Sequence, residues 1–225
     1  MFKIISIGGS IIIPKTGFDI GFLKKFRKLI INEIKKGGRF ILVVGGGATC
    51  RQYQNAVKEV IEVTSEQLDW LGIYSTQFNA RFVQMMFSGI AHPEIITDPT
   101  KKIKTTKSLI IGAGWKPGCS TDTDAVYLAR TYGAKEIVNF TNIDYVYDKD
   151  PRTHADALKL EHISWKEMRK IVGDTWLPGT NAPFDPIASK LAEKLGLKVF
   201  FAEGTDLEEV KKVLQGKKFR GTIIG

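Results

Sequence analysis

The sequence predicts an α/β protein built on a mostly parallel sheet. Strand-like and helix-like stretches alternate along its 225 residues, the pattern of parallel strands joined by crossover helices. Three of the strand-like stretches run straight into glycine-rich turns: KIISIGGSIII, FILVVGGGATCR and LIIGAGWKPGCSTD. The composition, 43% hydrophobic and 25% charged, is that of a globular chain able to bury a sizeable core.

Each element can be justified in order. A strand is expected over about 3–8. A helix follows from about Ile20 to Lys36, with Asp19 as N-cap and Gly37–Gly38 as the stop. The second strand is Phe40–Val44, and GGGATCRQYQNAVKEV turns from it into a helix. Another helix, about Glu66 to Ser88, carries Leu68, Leu71, Phe78, Phe82, Met85 and Met86. The third strand is Ser108–Ile111. TDTDAVYLARTYG then reads as a helix capped by Thr or Asp, and IVNFT as the next strand. A hairpin covers NIDYVYDKDPRTHADALKLEHI. SWKEMRKIVG is a serine-capped helix ending at Gly173, and DTWLPGTNAPFDP a loop. ASKLAEKLG, KVFFA, DLEEVKKVLQG and TIIG complete the chain as helix, strand, helix and strand.

Composition excludes several classes. No apolar stretch approaches the roughly 20 residues of a membrane helix, and MFKIISIGG lacks a signal-peptide layout, so a cytoplasmic location is expected. Cys50 and Cys119 make neither a disulfide framework nor a zinc site and read as incidental thiols. The net charge of +9 lies mostly on scattered helix faces such as LKKFRKLIINEIKKG. The densest run, TKKIKTTK at 100–107, reads as a solvent loop or hairpin. No interleaving of aromatic and basic residues offers a nucleic-acid platform.

The glycine turns carry the chemistry. A strand-to-helix turn exposes backbone N–H groups that favour phosphate, and glycine permits close approach. A single such turn can be a mere connection; three on one sheet suit a substrate with several phosphoryl groups. Neither the dinucleotide fingerprint nor the P-loop pattern is present. Arg51 can fork onto a phosphate from the first turn after GGG. Asp122 and Asp124 both sit at a helix start. One can serve as cap, but a cap cannot explain both. Lys190, in the first turn of a late helix, opposes the helix dipole, a cost that suggests a task.

With these turns in place, the chain resembles the amino acid kinase family over nearly its whole length, and within it the archaeal-type uridylate kinases. IGGS at 7–10 matches the turn against the ATP phosphates: Gly8, Gly9 and Ser10. GGGATCR matches the turn holding the acceptor phosphate: Gly45, Gly46, Gly47 and Arg51. LDWLGIYSTQFNARFV resembles the helix beside the nucleoside. Asp69 would meet the ribose hydroxyls, Gly72 would allow close approach, and Asn79 lies nearby. GAGWKPGCSTD is similar to the loop that places Ser120 and Thr121 on the acceptor, with Asp122 as the organising carboxylate. TNIDYVYDKDP is the most specific match and implies an adenosine pocket of Thr141, Asn142, Tyr147, Asp150 and Pro151. DPIASK resembles the late motif whose lysine, here Lys190, reaches the ATP phosphates.

The resemblance implies a three-layer αβα sandwich, with residues 1–133 as an acceptor lobe and 134–225 as an ATP lobe. It implies ATP and UMP as substrates, magnesium carried by ATP with no metal ligands from the chain, and a homohexamer. Catalysis would rest on Lys190, Asp122 and Gly9, without a covalent intermediate. Two departures stand out. Ser6 replaces a lysine common in the family, and Lys3 cannot substitute from about 10 Å down the strand at roughly 3.3 Å per residue. Asp124 stands where small apolar residues are usual. Two alternatives follow: a non-catalytic ATP-binding storage or regulatory protein, or an isopentenyl phosphate kinase. The latter uses an acceptor-pocket histidine, whereas His92, His154 and His162 lie outside the glycine turns.

Overall fold

A computed structural model describes residues 1–175 and 182–225. Part of the expected loop at 174–186, residues 176–181, lies outside the described residues. The first strand, β1 (Lys3–Ile7), lies between β2 (Phe40–Val44) and β5 (Glu136–Thr141), parallel to both. Both faces of these strands are covered, which is why they read as unbroken apolar runs. Beyond β2 come β4 (Leu109–Gly112) and the edge strand β3 (Ala91–Ile96). Beyond β5 come β9 (Lys198–Glu203), β10 (Thr222–Ile224) and β8 (His162–Ile163). All neighbours in this eight-stranded sheet are parallel except β9 and β10.

Helices cover both faces, giving the expected three layers. Ile5, Ile7, Leu42 and Val44 face one core, shared with α2 (Ile20–Lys35), α4 (Ser65–Met86) and α8 (Leu207–Leu214). Ile4, Ile41 and Val43 face the other, with α5 (Thr121–Tyr132), α6 (Trp165–Val172) and α7 (Pro186–Lys194). The expected Asp19 cap accepts from Phe22 N, and the Ser164 cap forms a reciprocal box with Glu167.

The structure corrects several expectations. The first strand ends at Ile7, and Gly9–Ile12 form a helical turn, α1, rather than interrupting a longer strand. Strand β3 was not expected: HPE at its centre is polar and includes a proline, which only an edge strand tolerates. The hairpin shrinks to β6 (Val146–Tyr147) against β7 (Lys159–Leu160). His162–Ile163 leave it to join the main sheet beside β10. The cap of α5 is Ser120, neither Thr nor Asp. Helix α7 opens at Pro186 behind its Asp185 cap, so Lys190 stands in the second turn, not the first. Arg51 likewise opens the second turn of α3 (Gly47–Val60).

Candidate active site at the glycine turns

The turns after β1, β2 and β4 gather at the carboxyl ends of parallel strands, where open α/β sheets bind ligands. The first two turns touch each other. A Cβ added to Gly9 would lie 2.0 Å from Gly47 N and 2.5 Å from Gly45 O. Gly47 adopts φ +64°, a conformation glycine enters without a Cβ penalty. Asn79 clamps the second turn by donating Nδ2 to Gly45 O and Gly46 O, each at 2.9 Å. Gly9 and Gly45 are therefore glycines because backbone meets backbone there. The sequence suggested close approach of a ligand; the structure supplies this second and sufficient reason. Gly8, half-buried, donates its N–H to Phe140 O at 2.8 Å, and Ser10 is half-buried on α1.

A cleft of about 220 Å³ opens between α3, α4 and the loop before α5. It brings together seven of the eight residues expected at the acceptor: Gly46, Gly47, Arg51, Asp69, Gly72, Ser120 and Thr121. Gly45 lies behind them, against Gly9. Arg51 Nε is buried without a hydrogen-bond partner among the described residues. Asp69 accepts from Gly118 N at 2.8 Å, tying α4 to the opposite loop. A Cβ on Gly72 would make only ordinary contact, 3.5 Å from Gln54 Nε2 and 3.6 Å from Cys50 Sγ. Protein packing therefore does not demand this glycine; the open cleft is what it faces.

Thr76 was missed. Its Oγ1 accepts from Gly114 N at 2.8 Å and donates to Ile73 O at 2.7 Å, fixing the third glycine turn. The signal was its spacing: 69, 72, 73 and 76 share one helix face. Cys50 and Cys119 also line this cleft as free thiols. Burial pushes both up, Cys119 to about 11, so they stay protonated near neutrality and are poor nucleophiles.

Beneath the cleft, Ser120 Oγ accepts from Asp122 N and Thr123 N at 3.1 Å each and donates to Asp185. Thr123 Oγ1 donates to the same Asp185 oxygen at 3.0 Å, and Asp185 Oδ1 caps α7 through Ala188 N at 2.8 Å. Asp185 thus fastens two helix N-termini together. Asp122 accepts from Ser6 Oγ at 2.9 Å. Burial pushes its carboxyl up to about 7, the Asp185 charge adds, and the Ser6 bond opposes. Lys190 is exposed and forms no ion pair among the described residues.

The residues expected around adenosine lie apart from this cleft. Thr141, at the end of β5, neighbours Gly8 and exchanges hydrogen bonds with the Ile143 backbone at 3.1 and 3.2 Å. Tyr147 donates its hydroxyl to Asp144 at 2.8 Å. Asp150 pairs with Arg152 at 2.8 Å, which holds its carboxyl down at about 2. Asn142 and Pro151 are exposed.

Known proteins resemble this chain over most of its length. The model of the amino acid kinase family matches residues 1–203. The chain is 32% identical to the uridylate kinase of Methanococcus aeolicus, with 98% of each chain covered. It is also 32% identical to that of Pyrococcus abyssi, at the same coverage. The crystal structure of uridylate kinase from Archaeoglobus fulgidus superposes with a TM-score of 0.82 at 27% identity, covering 99% of this chain and 100% of that one. With its glycine turns on a parallel sheet and this match over most of its length, the chain belongs to the amino acid kinase family.

Proposed function

We propose that this protein is an ATP-dependent UMP kinase, converting ATP and UMP to ADP and UDP by direct in-line transfer. The observation that carries the reading is Arg51, whose Nε is buried and unpartnered in a cleft with two glycine-turn residues, Asp69 and Ser120. An unpaired guanidinium beside backbone amides suits a phosphate. Asp69, part of the same cleft, suits ribose hydroxyls. The acceptor is already a nucleophilic phosphate oxygen, so positioning and charge stabilisation suffice. The uridylate kinases matched over the full chain support this reading.

Gly8, Gly9 and Ser10 would meet the ATP phosphates, and Thr141, Asn142, Tyr147, Asp150 and Pro151 the adenosine. Tyr147 and Asp150 would need to exchange their present partners for the nucleoside. Lys190 would swing from solvent to the transferring group, with Asp122 organising the charge beneath it. Residues 1–133 would then form the acceptor lobe and 134–225 the ATP lobe. Magnesium would arrive on the ATP phosphates. There it neutralises charge during transfer.

The wider setting is part of the proposal: pyrimidine nucleotide synthesis, in the cytoplasm, by a homohexamer without nucleic-acid or membrane partners. Among the described residues no helix is long and apolar enough to cross a membrane. Trp70, Tyr74, Phe78 and Met85 are exposed along one side of α4, an apolar stripe that supports self-association. The test is ADP release from ATP and magnesium with UMP, CMP, dUMP, isopentenyl phosphate or N-acetylglutamate. Turnover with UMP alone is expected. ATP binding with no turnover on any acceptor would favour the storage or regulatory alternative, which the absence of a lysine at Ser6 keeps worth testing.

A further inference from the structure

Three carboxyl groups meet at the start of α5: Asp122 and Asp124 from the helix itself and Asp185 from the cap of α7. Asp124 is 0% exposed and Asp185 3%. Both oxygens of Asp124 lack a hydrogen-bond partner among the described residues. Among the described residues the only side chains bonded to the other two acids are the hydroxyls of Ser6, Ser120 and Thr123. Among the described residues none of the three acids enters an ion pair, and no such trio is arranged to hold a metal. A buried carboxylate with neither donor nor cation is unstable relative to the neutral acid.

We propose that Asp124 is held as the uncharged acid beneath the loop at 113–119 and acts as a positioning residue for the acceptor, its proton setting the alkaline limit of acceptor binding. That loop connects the third glycine turn to Ser120. It is pinned at Gly118 by Asp69 and at its end by the contact of Ser120 with Asp185. The charged and titratable groups around Asp124 are few. Asp122 comes from its own helix and Asp185 from α7. Cys119, on the loop, feels the Asp124 charge and, beyond it, those of Lys116 and Asp69. The Lys116 ammonium lies 4.1 Å from the Trp115 ring centroid, over its face. Burial pushes Asp124 well above the usual carboxylate range, and the Asp185 and Asp122 charges add to this. The Trp115 backbone amide opposes this, though it falls short of hydrogen-bond geometry. Losing this proton adds a negative charge that no ion pair among the described residues neutralises. The strain is relieved by loosening the loop and the start of α5, which carry Ser120 and Thr121 into the cleft.

The sign follows from linkage. A carboxyl raised in the folded state keeps a proton that the unfolded chain has lost. Stability therefore falls as pH rises from the ordinary carboxylate range through the folded value. Unfolding of the unliganded protein is measured from about pH 5 to 9 for the parent, Asp124→Asn and Asp124→Leu. Each retained proton lowers the folding constant up to about tenfold per pH unit. The advantage of Asp124→Asn over the parent is expected to grow at that rate; parallel curves overturn the proposal. Asp124→Leu, also unable to ionise, provides the same comparison if the Asn variant does not fold. Stabilisation of the parent, but not of Asp124→Asn, by magnesium or potassium chloride alone would put a cation in place of the proton and overturn it too.

The kinetic arm rests on the acceptor reading above. KM for UMP is expected to climb on the alkaline side in the parent and to stay flat in Asp124→Asn. Identical KM profiles would remove the positioning role. Absence of any UMP turnover would count against the acceptor reading, while the unfolding curves would still report the proton.

Discussion

Ser6, on β1, donates its hydroxyl to Asp122 at the start of α5, Oγ to Oδ1 2.9 Å, across 116 residues of sequence. This is the side-chain hydrogen bond that favours the charged form of a carboxyl otherwise pushed up to about 7 by burial and Asp185. Removing it in Ser6→Ala should raise the Asp122 value further. A raised carboxyl makes stability fall with pH between the unfolded value near 4 and the folded one. The Asp122 share of that decline ends near 7 in the parent; in Ser6→Ala it should continue to higher pH. Denaturant melts across this range check it, and an unchanged break point would remove the hydroxyl from the account.

Gly9→Ala places a Cβ 2.0 Å from Gly47 N. Backbone on both sides cannot step aside, so a loss of about 1–3 kcal/mol or more is expected. At Gly8 the nearest atom to a new Cβ is Phe140 O at 3.2 Å, with φ −54°. Gly8→Ala should therefore lose less. Thermal melts of the two variants separate a packing demand at Gly9 from a purely ligand-directed one.

Arg51 forms no hydrogen bond or ion pair among the described residues, and its Nε is buried. Arg51→Ala should therefore leave stability nearly unchanged. It should raise KM for UMP by roughly ten- to hundredfold, the worth of a charge-assisted contact of about 1.5–3 kcal/mol. Arg51→Lys should recover only part, because an ammonium cannot fork onto a phosphate. Equal KM values in parent and Arg51→Ala would remove Arg51 from the acceptor site.

A Cβ on Gly72 meets nothing closer than 3.5 Å. Gly72→Ala should fold as stably as the parent, within about 1 kcal/mol for the helix. The methyl would project into the cleft, so a weaker affinity for UMP is expected by calorimetry. Lost stability with intact affinity would reverse the reading.

Asp185 accepts from Ser120, Thr123 and the Ala188 amide at once. Asp185→Ala removes a helix cap and orphans two hydroxyls, and should cost about 2–4 kcal/mol from the cap and unpaired-group terms together. Asp185→Asn should retain most of the stability, as chemical denaturation would show.

The sequence by itself determined what depends on neighbouring residues. Apolar runs bounded by glycine marked β1, β2, β5 and β9. Asp19 and Ser164 announced helix starts because a cap acts within one turn. Seven residues expected at the acceptor share one cleft because glycine turns and one face of α4 converge on it. What only the tertiary structure decided involves partners far apart in the chain. Gly9 is glycine because Gly47 packs on it. Ser120, rather than an adjacent Thr or Asp, caps α5 while also reaching Asp185. Strand β3 exists because an exposed sheet edge can accept HPE, a polar run with no strand signature. The unpaired state of Asp124 is likewise a product of packing. Desolvation depends on everything that surrounds a side chain, and the residues beside Asp124 in the sequence are only part of its surroundings.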